Sequence, residues 1–329
     1  MVISPPPRLP ISLVIPCGGD AGALAPVLAA VESGTSWPAE VLIVDAAHLL
    51  GPVRCQDPFA SIVRVLDSVG HLFPGEARNI GYQTASENWI AFLDLNTLPP
   101  PHWLESVYGL SQQHPAAELV LGSTCYTGQS WLQRLFITAT YGDNPIPTLP
   151  GSLVHRKVFS RLGGFLPGIR AGEDTDWLIR VKQFGISQRP APIALLYSAI
   201  PYSLMDLIRK WFRNYSSCAP VVFHLESHKT IYFLAFNFLI LFVAFNWNSL
   251  VADWRESSPF YLANITKIVF SLILTIYFVI RGLAMPLRRG SMLRMLLPLR
   301  WLLIGLLCAV IDFTKLLAFV LAWCDRSLR

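Results

Sequence analysis

Carboxylate side chains follow two of the apolar segments in the first third of the chain. Asp45 ends the run Glu-Val-Leu-Ile-Val-Asp, and Asp94 ends the run Trp-Ile-Ala-Phe-Leu-Asp, with Asn96 close behind it. A third acidic site pairs Asp174 with Glu173 in the segment Gly-Glu-Asp-Thr-Asp. Such groups ligate hard cations such as Mg²⁺ or take the proton from a reacting hydroxyl. Each would equally serve as a helix cap or turn residue, and local spacing does not separate the two roles.

The elements around these residues alternate between strands and helices. Short apolar runs at residues 11–16, 40–45, 61–66 and 89–94 are typical of buried strands, and residues 22–33 and 76–85 have helical spacing. This alternation predicts an α/β fold with a mainly parallel sheet. Because ligands bind beyond the carboxyl ends of strands in such sheets, we expect Asp45 and Asp94 to face one crevice. Residues 126–151, rich in glycine and proline, predict an irregular segment.

The second half of the chain has a different composition. Of the 329 residues 53% are hydrophobic and only 14% are charged, and the apolar excess lies mainly after Thr230. Three apolar runs, 231–252, 261–280 and 301–323, approach the about 20 residues that cross a bilayer. The arginines from Arg281 onward, between the second and third runs, predict a cytoplasmic loop. The protein would then be a multi-pass membrane protein with its N-terminal half in the cytoplasm, and residues 1–10 show no signal-peptide pattern.

Residues 203–215 predict an amphipathic helix just ahead of the first apolar run. Apolar side chains, Trp211 among them, recur at helical spacing, whereas Lys210 and other basic residues lie on other faces. This pattern predicts an interfacial helix on the membrane, with an ordinary core helix as the alternative. In the third run, Asp312 and Lys315 share one helical face and predict an ion pair inside a bundle, either structural or functional.

Two other classes of site are not expected. The six cysteines are scattered, without a C-x-x-C pair or a histidine at metal spacing, which indicates free thiols in a reducing compartment. The net charge is +5, and the N-terminal half has no basic stripe interleaved with aromatic residues. Nucleic-acid binding is therefore not expected.

Five motifs occur in the order and spacing of one enzyme family. They are the strand that ends at Pro16, the strand that ends at Asp45, Ala-Arg78-Asn-Ile-Gly, the strand that leads to Asp94-Leu-Asn96, and Gly-Gly164-Phe followed by Gly-Glu173-Asp174-Thr-Asp. Over roughly residues 10–215 this pattern resembles glycosyltransferase family 2, which has the GT-A fold. We expect a cytoplasmic, Rossmann-like nucleotide-sugar-binding domain at 1–202, an amphipathic helix and linker at 203–229, and transmembrane helices at 230–329.

The resemblance implies a donor site for a UDP- or GDP-linked sugar. Pro16 and Asp45 would lie at the nucleotide, where the Asp45 carboxylate would accept a hydrogen bond from the base. Arg78 would lie near the diphosphate, whose negative charges suit a guanidinium group. Asp94 and Asn96 would hold Mg²⁺ or Mn²⁺ against the sugar diphosphate.

Two positions depart from the family's pattern. The family usually has acidic residues at the positions that Ala46 and Asn96 occupy. An amide oxygen can ligate a hard cation but adds no charge, so the affinity for the metal should be lower. A catalytically inactive scaffold that still binds a nucleotide sugar is therefore one alternative.

The resemblance also implies the catalytic and acceptor-side residues. Asp174 would act as the general base of an inverting transfer and take the proton from the acceptor hydroxyl, while Glu173 would orient the loop. Gly164 would allow a tight turn beside the sugar or acceptor. Lys210-Trp211 partly matches an Arg-Trp motif that contacts the acceptor and the diphosphate in related synthases, with packing at the membrane surface as the alternative for Trp211.

These features predict a membrane-anchored, inverting glycosyltransferase of hexosyltransferase type. Its acceptor would be lipid-linked or close to the membrane, such as a polyprenyl phosphate or a glycolipid. A processive polysaccharide synthase, whose helices would form a secretion channel, is the second alternative, although three spans are few for a channel.

Overall fold

The computed structural model describes residues 5–18, 21–48, 50, 53, 55–68, 70–225, 227–252 and 254–327. The strands are β1 Arg8–Cys17, β2 Trp37–Asp45, β3 Val63–Asp67, β4 Trp89–Phe92, β5 Thr97–Leu98, β6 Leu119–Leu121, β7 Ser123–Tyr126, β8 Ile146–Pro147, β9 Leu153–His155, β10 Gln188–Pro190 and β11 Leu195–Tyr197. The helices are α1 Leu24–Glu32, α2 Pro74–Thr84, α3 Trp103–Gln113, α4 Trp131–Thr140, α5 Arg156–Leu162, α6 Glu173–Gln183, α7 Leu204–Leu225, α8 Ser227–Ala252, α9 Ile265–Phe278, α10 Met285–Arg288, α11 Leu293–Leu296 and α12 Arg300–Ser327.

A seven-stranded sheet in the order β10-β6-β9-β4-β1-β2-β3 forms the centre of the N-terminal half. Strand β1 pairs in parallel with β2 and β4, and β2 pairs in parallel with β3, as the alternation of strands and helices predicts. Strand β9, however, runs antiparallel to both β4 and β6, so the sheet is mixed. A second sheet of four short strands has the order β5-β11-β7-β8.

Both faces of the large sheet are covered, which explains why its central strands are apolar without alternation. Helices α1 and α3 pack on one face through side chains such as Leu28 and Trp103. Helices α5 and α6 pack on the other through Phe159 and Trp177. Helix α2 lies so close to β1 that a Cβ atom at Gly81 would collide with the side chain of Val14. Because β4 also pairs with β1, helix α2 and strand β4 are both held against the same strand.

The segment predicted to be irregular contains a regular helix. Residues 126–151 include α4, whose N-terminus has a capping box in which Ser130 and Gln133 bond each other's backbone N–H groups. Its side chains pack into a third core with α7 and α12, through residues such as Phe136, Leu207 and Ile304. The prediction of an irregular segment is wrong because glycines and prolines lie on both sides of the helix and not within it.

Helix α7 extends beyond the predicted amphipathic segment. It runs to Leu225, and α8 begins at Ser227, so the region predicted as a linker is largely helical. Leu207 is buried and Trp211 is partly buried in the core shared with α4 and α12. The inner face of α7 is therefore a packing face within the molecule, as in the core-helix alternative.

Two helical segments in the described part of the chain are long and apolar enough to cross a membrane, Ile265–Arg288 and Arg300–Ala322. Within the first, 6% of the residues in the most apolar window are buried in this molecule, whereas within the second the share is 39%, since α12 packs on α4 and α7. The run predicted at 231–252 lies in α8, but the side chains of residues 231–238 lie outside the described residues; Leu239–Ala252 is a shorter apolar segment.

The apolar run predicted at 261–280 becomes helical only at Ile265, where α9 begins. The predicted basic loop also begins later than expected, because Arg281 still lies inside the helical segment, in a π-helical turn at Val279–Ala284 between α9 and α10. Its guanidinium donates to both carboxylate oxygens of Asp312 at 2.8 Å, and Tyr277 donates to the same carboxylate at 2.9 Å. The predicted partner Lys315 is farther away, at 3.9 Å. Asp312 of α12 thus pairs mainly with residues of the preceding apolar helical segment, and less closely with Lys315 on its own helix.

Candidate active site

Arg78 of α2 joins two of the predicted site carboxylates. Its Nη2 donates to Oδ1 of Asp94 at 2.7 Å, and its Nη1 donates to Oε1 of Glu173 at 2.6 Å. The guanidinium is almost completely buried, with 3% of the side chain exposed. It also lies over the ring of Phe165, 5.7 Å from the centroid. Arg78 therefore brings together the residues that follow β4 and those that begin α6, which are far apart in the chain.

The charges of this cluster act on one another strongly. Burial alone would lower the pKa of Arg78, but the adjacent carboxylates of Asp94 and Glu173, and next that of Asp174, raise it above its ordinary value. Burial raises the pKa of Glu173, the Arg78 guanidinium opposes that rise, and the Asp174 carboxylate adds to it. Arg78 remains a cation, and Asp94, Glu173 and Asp174 lie close enough together to interact electrostatically.

Asp174 lies in the first turn of α6, directly after Glu173. The N-cap residue of the helix is Gly172, whose φ of +93° is in the left-handed region that glycine adopts readily. Oδ1 of Asp174 accepts a hydrogen bond from the backbone N–H of Thr175 at 2.7 Å, and the side chain is only partly buried. A carboxylate at a helix N-terminus is stabilised by the helix dipole. Asp174 is thus an accessible anion beside the buried Arg78 cluster.

Asp94 and Asn96 form a tight turn after β4. The Thr97 hydroxyl donates to the carbonyl of Asp94 at 2.6 Å and accepts from its N–H at 3.0 Å. Asn96 has a φ of +72°, a conformation that Asn tolerates better than most residues. The Asp94 side chain is 34% exposed, and one of its oxygens is fixed by Arg78.

The donor set at Asp94 and Asn96 suits a hard cation shared with a substrate. In the part of the chain that the structure describes, no three His, Cys, Asp or Glu side chains are placed to hold a metal ion by themselves. Mg²⁺ and similar ions are commonly held by one or two protein oxygens together with substrate phosphates and water. A carboxylate and an amide oxygen on one turn meet that requirement. They are too few to hold a metal ion with protein ligands alone.

Asp45 ends β2 at the same edge of the sheet, but its carboxylate belongs to a local turn. Oδ2 accepts from the N–H of Leu50 at 3.0 Å and Oδ1 from that of Ala47 at 3.4 Å, and the side chain is buried. The turn alternative therefore describes its present contacts, and contact with a nucleotide base stays a prediction. Pro16 is buried in β1 and pairs with Val44 of β2.

Lys210 lies among tyrosines that sequence reasoning did not single out. Its Nζ is 5.4 Å from the ring centroid of Tyr197 and 5.7 Å from that of Tyr141, and Tyr141 stacks on Tyr126 at 3.7 Å. Burial, and next the charge of Arg213, lower the pKa of Lys210 to about 8. The tyrosines come from β7, from β11 and from the residue that follows α4, so no local spacing could indicate them.

The tyrosines connect Lys210 to the carboxylates. Burial raises the pKa of Tyr126 to about 12, and Tyr197, Asp174 and Asp94 add to that rise in this order. Asp94 likewise contributes, after burial, to the raised pKa of Tyr197. The predicted acceptor-side residue Lys210 thus contacts a tyrosine cluster that is within electrostatic range of Asp94 and Asp174.

Trp211, the neighbour of Lys210, packs between Tyr141 and Lys315. Its ring centroid lies 6.4 Å from that of Tyr141, and the ammonium of Lys315 lies over the Trp211 ring, 4.1 Å from its centroid. Its indole Nε1 is buried and has no hydrogen-bond partner among the residues that the structure describes. These contacts describe a packing residue, and the acceptor-side role of Trp211 stays a prediction.

Gly164 lies on a loop that packs against α2. Asn79, the neighbour of Arg78, makes hydrogen bonds to both the N–H and the carbonyl of Phe165, at 2.8 and 2.9 Å. A Cβ atom at Gly164 would collide with Oδ1 of Asn79, which is a physical reason for glycine here. The third, fourth and fifth motifs therefore meet at α2, the end of β4 and the start of α6.

Comparison with known families gives an independent view of this arrangement. Residues 12–165 match the family model described as Glycosyl transferase family 2. The matched segment contains Arg78, Asp94, Asn96 and the Gly164–Phe165 turn, and ends just before Glu173. The resemblance inferred from the motifs is supported over that segment, and with it an α/β fold of GT-A type.

Two curated relatives are similar at low identity. An uncharacterized glycosyltransferase of Haemophilus influenzae is 24% identical over 183 residues, which are 53% of this chain and 62% of that protein. A pre-mycofactocin glycosyltransferase of Mycobacterium tuberculosis is 27% identical over 239 residues, 67% of this chain and 49% of that protein. The chain therefore spans about half to three fifths of the length of these relatives.

Two solved structures are similar over most of the chain. One is S. aureus TarS 1-349 in complex with UDP-GlcNAc, with 13% identity, 93% of this chain and 89% of that chain covered, and a TM-score of 0.43. The other is the mannosyltransferase PcManGT from Pyrobaculum calidifontis in complex with GDP-Man and Mn²⁺, with 14% identity, 96% and 90% covered, and a TM-score of 0.49. Similarity at this level carries no information about the substrate of this chain.

Proposed function

We propose that this protein is an inverting glycosyltransferase that moves a sugar from a nucleotide-sugar donor to an acceptor at a membrane surface. The observation that carries the proposal is the bridge that Arg78 makes between Asp94 and Glu173, with the partly exposed Asp174 beside it. The family match over residues 12–165 supports the donor class. The specific sugar would be a hexosyl-type group on UDP or GDP.

Donor binding would occur at the carboxyl edge of the large sheet. Pro16 and Asp45 would lie at the nucleotide and Asp94 at the diphosphate, with strand β1 between Asp45 and Asp94 in the sheet order. Asp94 and Asn96 would hold Mg²⁺ or Mn²⁺, which would offset the charge that develops on the leaving diphosphate. Arg78, buried between carboxylates, would position Asp94 rather than reach the phosphates itself.

Asp174 would be the general base. A single displacement at the anomeric carbon needs one group that accepts the proton of the attacking hydroxyl. Asp174 is exposed enough to reach an acceptor, whereas Glu173 is buried and engaged by Arg78. A buried, ion-paired carboxylate is not available as a covalent nucleophile, and this favours inversion. Glu173 would hold the first turn of α6 in place.

The acceptor would approach from the side of α7 and the Gly164 loop. Lys210 supplies a cation there, and the apolar segments Ile265–Arg288 and Arg300–Ala322 would hold the protein at a membrane. A lipid-linked acceptor, such as a polyprenyl phosphate or a glycolipid, would meet the site at the headgroup level. The catalytic half would lie on the cytoplasmic side, where nucleotide sugars are made.

A donor screen against lipid extracts tests the proposal. Full-length protein in membranes or detergent is incubated with UDP- and GDP-sugars labelled in the sugar, and transfer to the lipid fraction is followed. We expect transfer by the wild type, none by Asp174→Asn, and wild-type rates for Glu256→Gln, the same change at an exposed carboxylate of a turn. Transfer by Asp174→Asn at the wild-type rate contradicts the proposal. If the wild type binds the donor without turnover, the protein is the catalytically inactive scaffold. If the product is a long polymer, the protein is the processive polysaccharide synthase.

A further inference from the structure

The loop that carries Gly164 is held by side chains from two helices of the site. Asn79 of α2 accepts from the N–H of Phe165 and donates to its carbonyl, so that both backbone groups of one residue pair with one side-chain amide. Such a two-point contact fixes the orientation of the peptide as well as its position. A single hydrogen bond would fix the orientation of this peptide less well.

Helix α6 holds the preceding residues of the same loop. Arg180 donates through Nη1 to the carbonyl of Leu162 at 2.7 Å and through Nη2 to that of Gly164 at 2.8 Å. Its Nε donates to Asp176 at 2.8 Å, which fixes the guanidinium on its own helix. Trp177 donates to the carbonyl of Gly163 at 3.3 Å. The carbonyls of residues 162–165 are thus all engaged by α2 or α6.

These contacts couple the loop to the carboxylates. Asn79 is adjacent to Arg78 on α2, and Arg180 lies on the helix that begins with Glu173 and Asp174. Phe165, the residue that Asn79 holds, packs its ring under the Arg78 guanidinium. A shift of the loop away from Asn79 would therefore move Gly164 relative to Asp174.

We propose that Asn79 is a positioning residue that, with Arg180, sets the place of Gly164 and so the fit of the acceptor beside Asp174. The inference rests on the proposed function and adds to it the residues that decide between transfer to the acceptor and transfer to water. Asn79 would act through its two hydrogen bonds to Phe165 rather than by contact with either substrate. Its removal leaves the donor side at Asp45 and Asp94 in place, but leaves Phe165 without either of its two side-chain partners.

The ratio of transfer to hydrolysis measures this role. Nucleotide-sugar donor labelled in the sugar is incubated with full-length protein and lipid extract, and sugar in the lipid fraction is compared with free sugar. In Asn79→Ala this ratio should fall on the order of tenfold or more, because misplacement of the acceptor side by a fraction of an ångström is costly. The Km for the donor should change less than twofold. A loss of folded protein alone would lower transfer and hydrolysis equally and leave the ratio unchanged.

A second variant keeps the test independent of folding. Gly164→Ala alone should lower the same ratio, since its Cβ collides with Asn79 Oδ1. In Asn79→Ala/Gly164→Ala the colliding atom is absent, so the double variant should be less impaired than the product of the two single effects. Hydrogen exchange of the Phe165 amide should be faster in Asn79→Ala than in the wild type.

The outcomes separate the inference from the function on which it rests. A wild type that neither transfers nor hydrolyses any UDP- or GDP-sugar overturns the proposed function and this inference with it. An active wild type together with an unchanged ratio in Asn79→Ala, or with multiplicative effects in the double variant, overturns the inference alone.

Discussion

The ammonium of Lys315 lies 4.1 Å from the centroid of the Trp211 ring. It also lies 5.3 Å from the ring of Tyr215, one turn farther along α7. Lys315 belongs to an apolar helix that is long enough to cross a membrane, and Trp211 adjoins Lys210 near the candidate active site. A cation over two aromatic rings therefore joins α12 to α7.

Replacement of Lys315 by methionine should loosen this attachment. Met fills a similar volume but has no charge for the rings or for Asp312, and a partly desolvated cation–π contact contributes about 1–2 kcal/mol. We expect the free energy of unfolding in detergent to fall by about that amount, whereas Lys315→Arg keeps the cation and most of the stability. Unfolding midpoints for Lys315→Met equal to those of the wild type would show that the contact is not stabilising.

Arg78→Met should make stability depend on pH through Glu173. Without the guanidinium, the main group that opposes the effect of burial is lost, and the pKa of Glu173 should rise further. The native state then binds a proton that the unfolded state releases near the ordinary Glu value of about 4.3. The free energy of unfolding of the variant should therefore fall as pH increases above about 4.3, up to the raised pKa.

The control for this effect is Arg78→Met/Glu173→Gln. The neutral amide has no charge to desolvate, so the pH-dependent loss should disappear in the double variant. Denaturant titrations of both variants between acid and neutral pH measure it. A loss in Arg78→Met that is the same at every pH, or that persists in the double variant, excludes Glu173 as its cause.

Lys210 should give transfer and stability opposite pH dependences. Its pKa of about 8 is below the ordinary Lys value of about 10.4, so between these values the native state is deprotonated while the unfolded state is protonated. The free energy of unfolding should therefore rise with pH over that window, whereas transfer to an anionic acceptor should decline as the ammonium is lost above pH about 8. Lys210→Met should lack both changes. Transfer by the wild type that stays constant through this range argues against the acceptor-side role.

Asn96→Asp should increase the affinity for a divalent cation. The added carboxylate supplies the charge that the amide lacks, and Asp tolerates the positive φ of this position nearly as well as Asn does. The Mn²⁺ concentration for half-maximal donor turnover should fall about tenfold, a change of about 1.4 kcal/mol in binding. Asn96→Ala should raise it. An unchanged metal dependence in both variants would place the cation, if one is used, away from this turn.

The central sheet could be predicted because its strands are continuous apolar runs. Strands β1, β2 and β4 were expected within a few residues of their observed bounds, and the carboxylates Asp45 and Asp94 lie at one edge as the parallel pairing requires. The antiparallel strand β9 was missed, since its three residues give no periodic signal. Helix α4 was also missed, although its capping box, Ser130 to Gln133, is a local signal that the surrounding glycines and prolines obscured.

The contacts within the site were harder to predict than its members. The motifs indicated Arg78, Asp94 and Glu173, but only the fold shows that one guanidinium bridges the two carboxylates. The partner of Asp312 was expected on its own helix, at Lys315, because spacing within a helix is visible in a sequence. Arg281 lies closer, on another helix, and pairing between helices depends on packing that local patterns do not encode.

The most direct test of the account is a comparison of donor binding with turnover in Asp174→Asn. The bound nucleotide sugar would contact the sheet edge and the Asp94 turn rather than Asp174, so calorimetric titration of UDP- and GDP-sugars should give the same Kd for wild type and variant. Turnover of the bound donor should occur only in the wild type. If the wild type binds neither class of nucleotide sugar, or if the variant turns the donor over at the wild-type rate, the account is wrong.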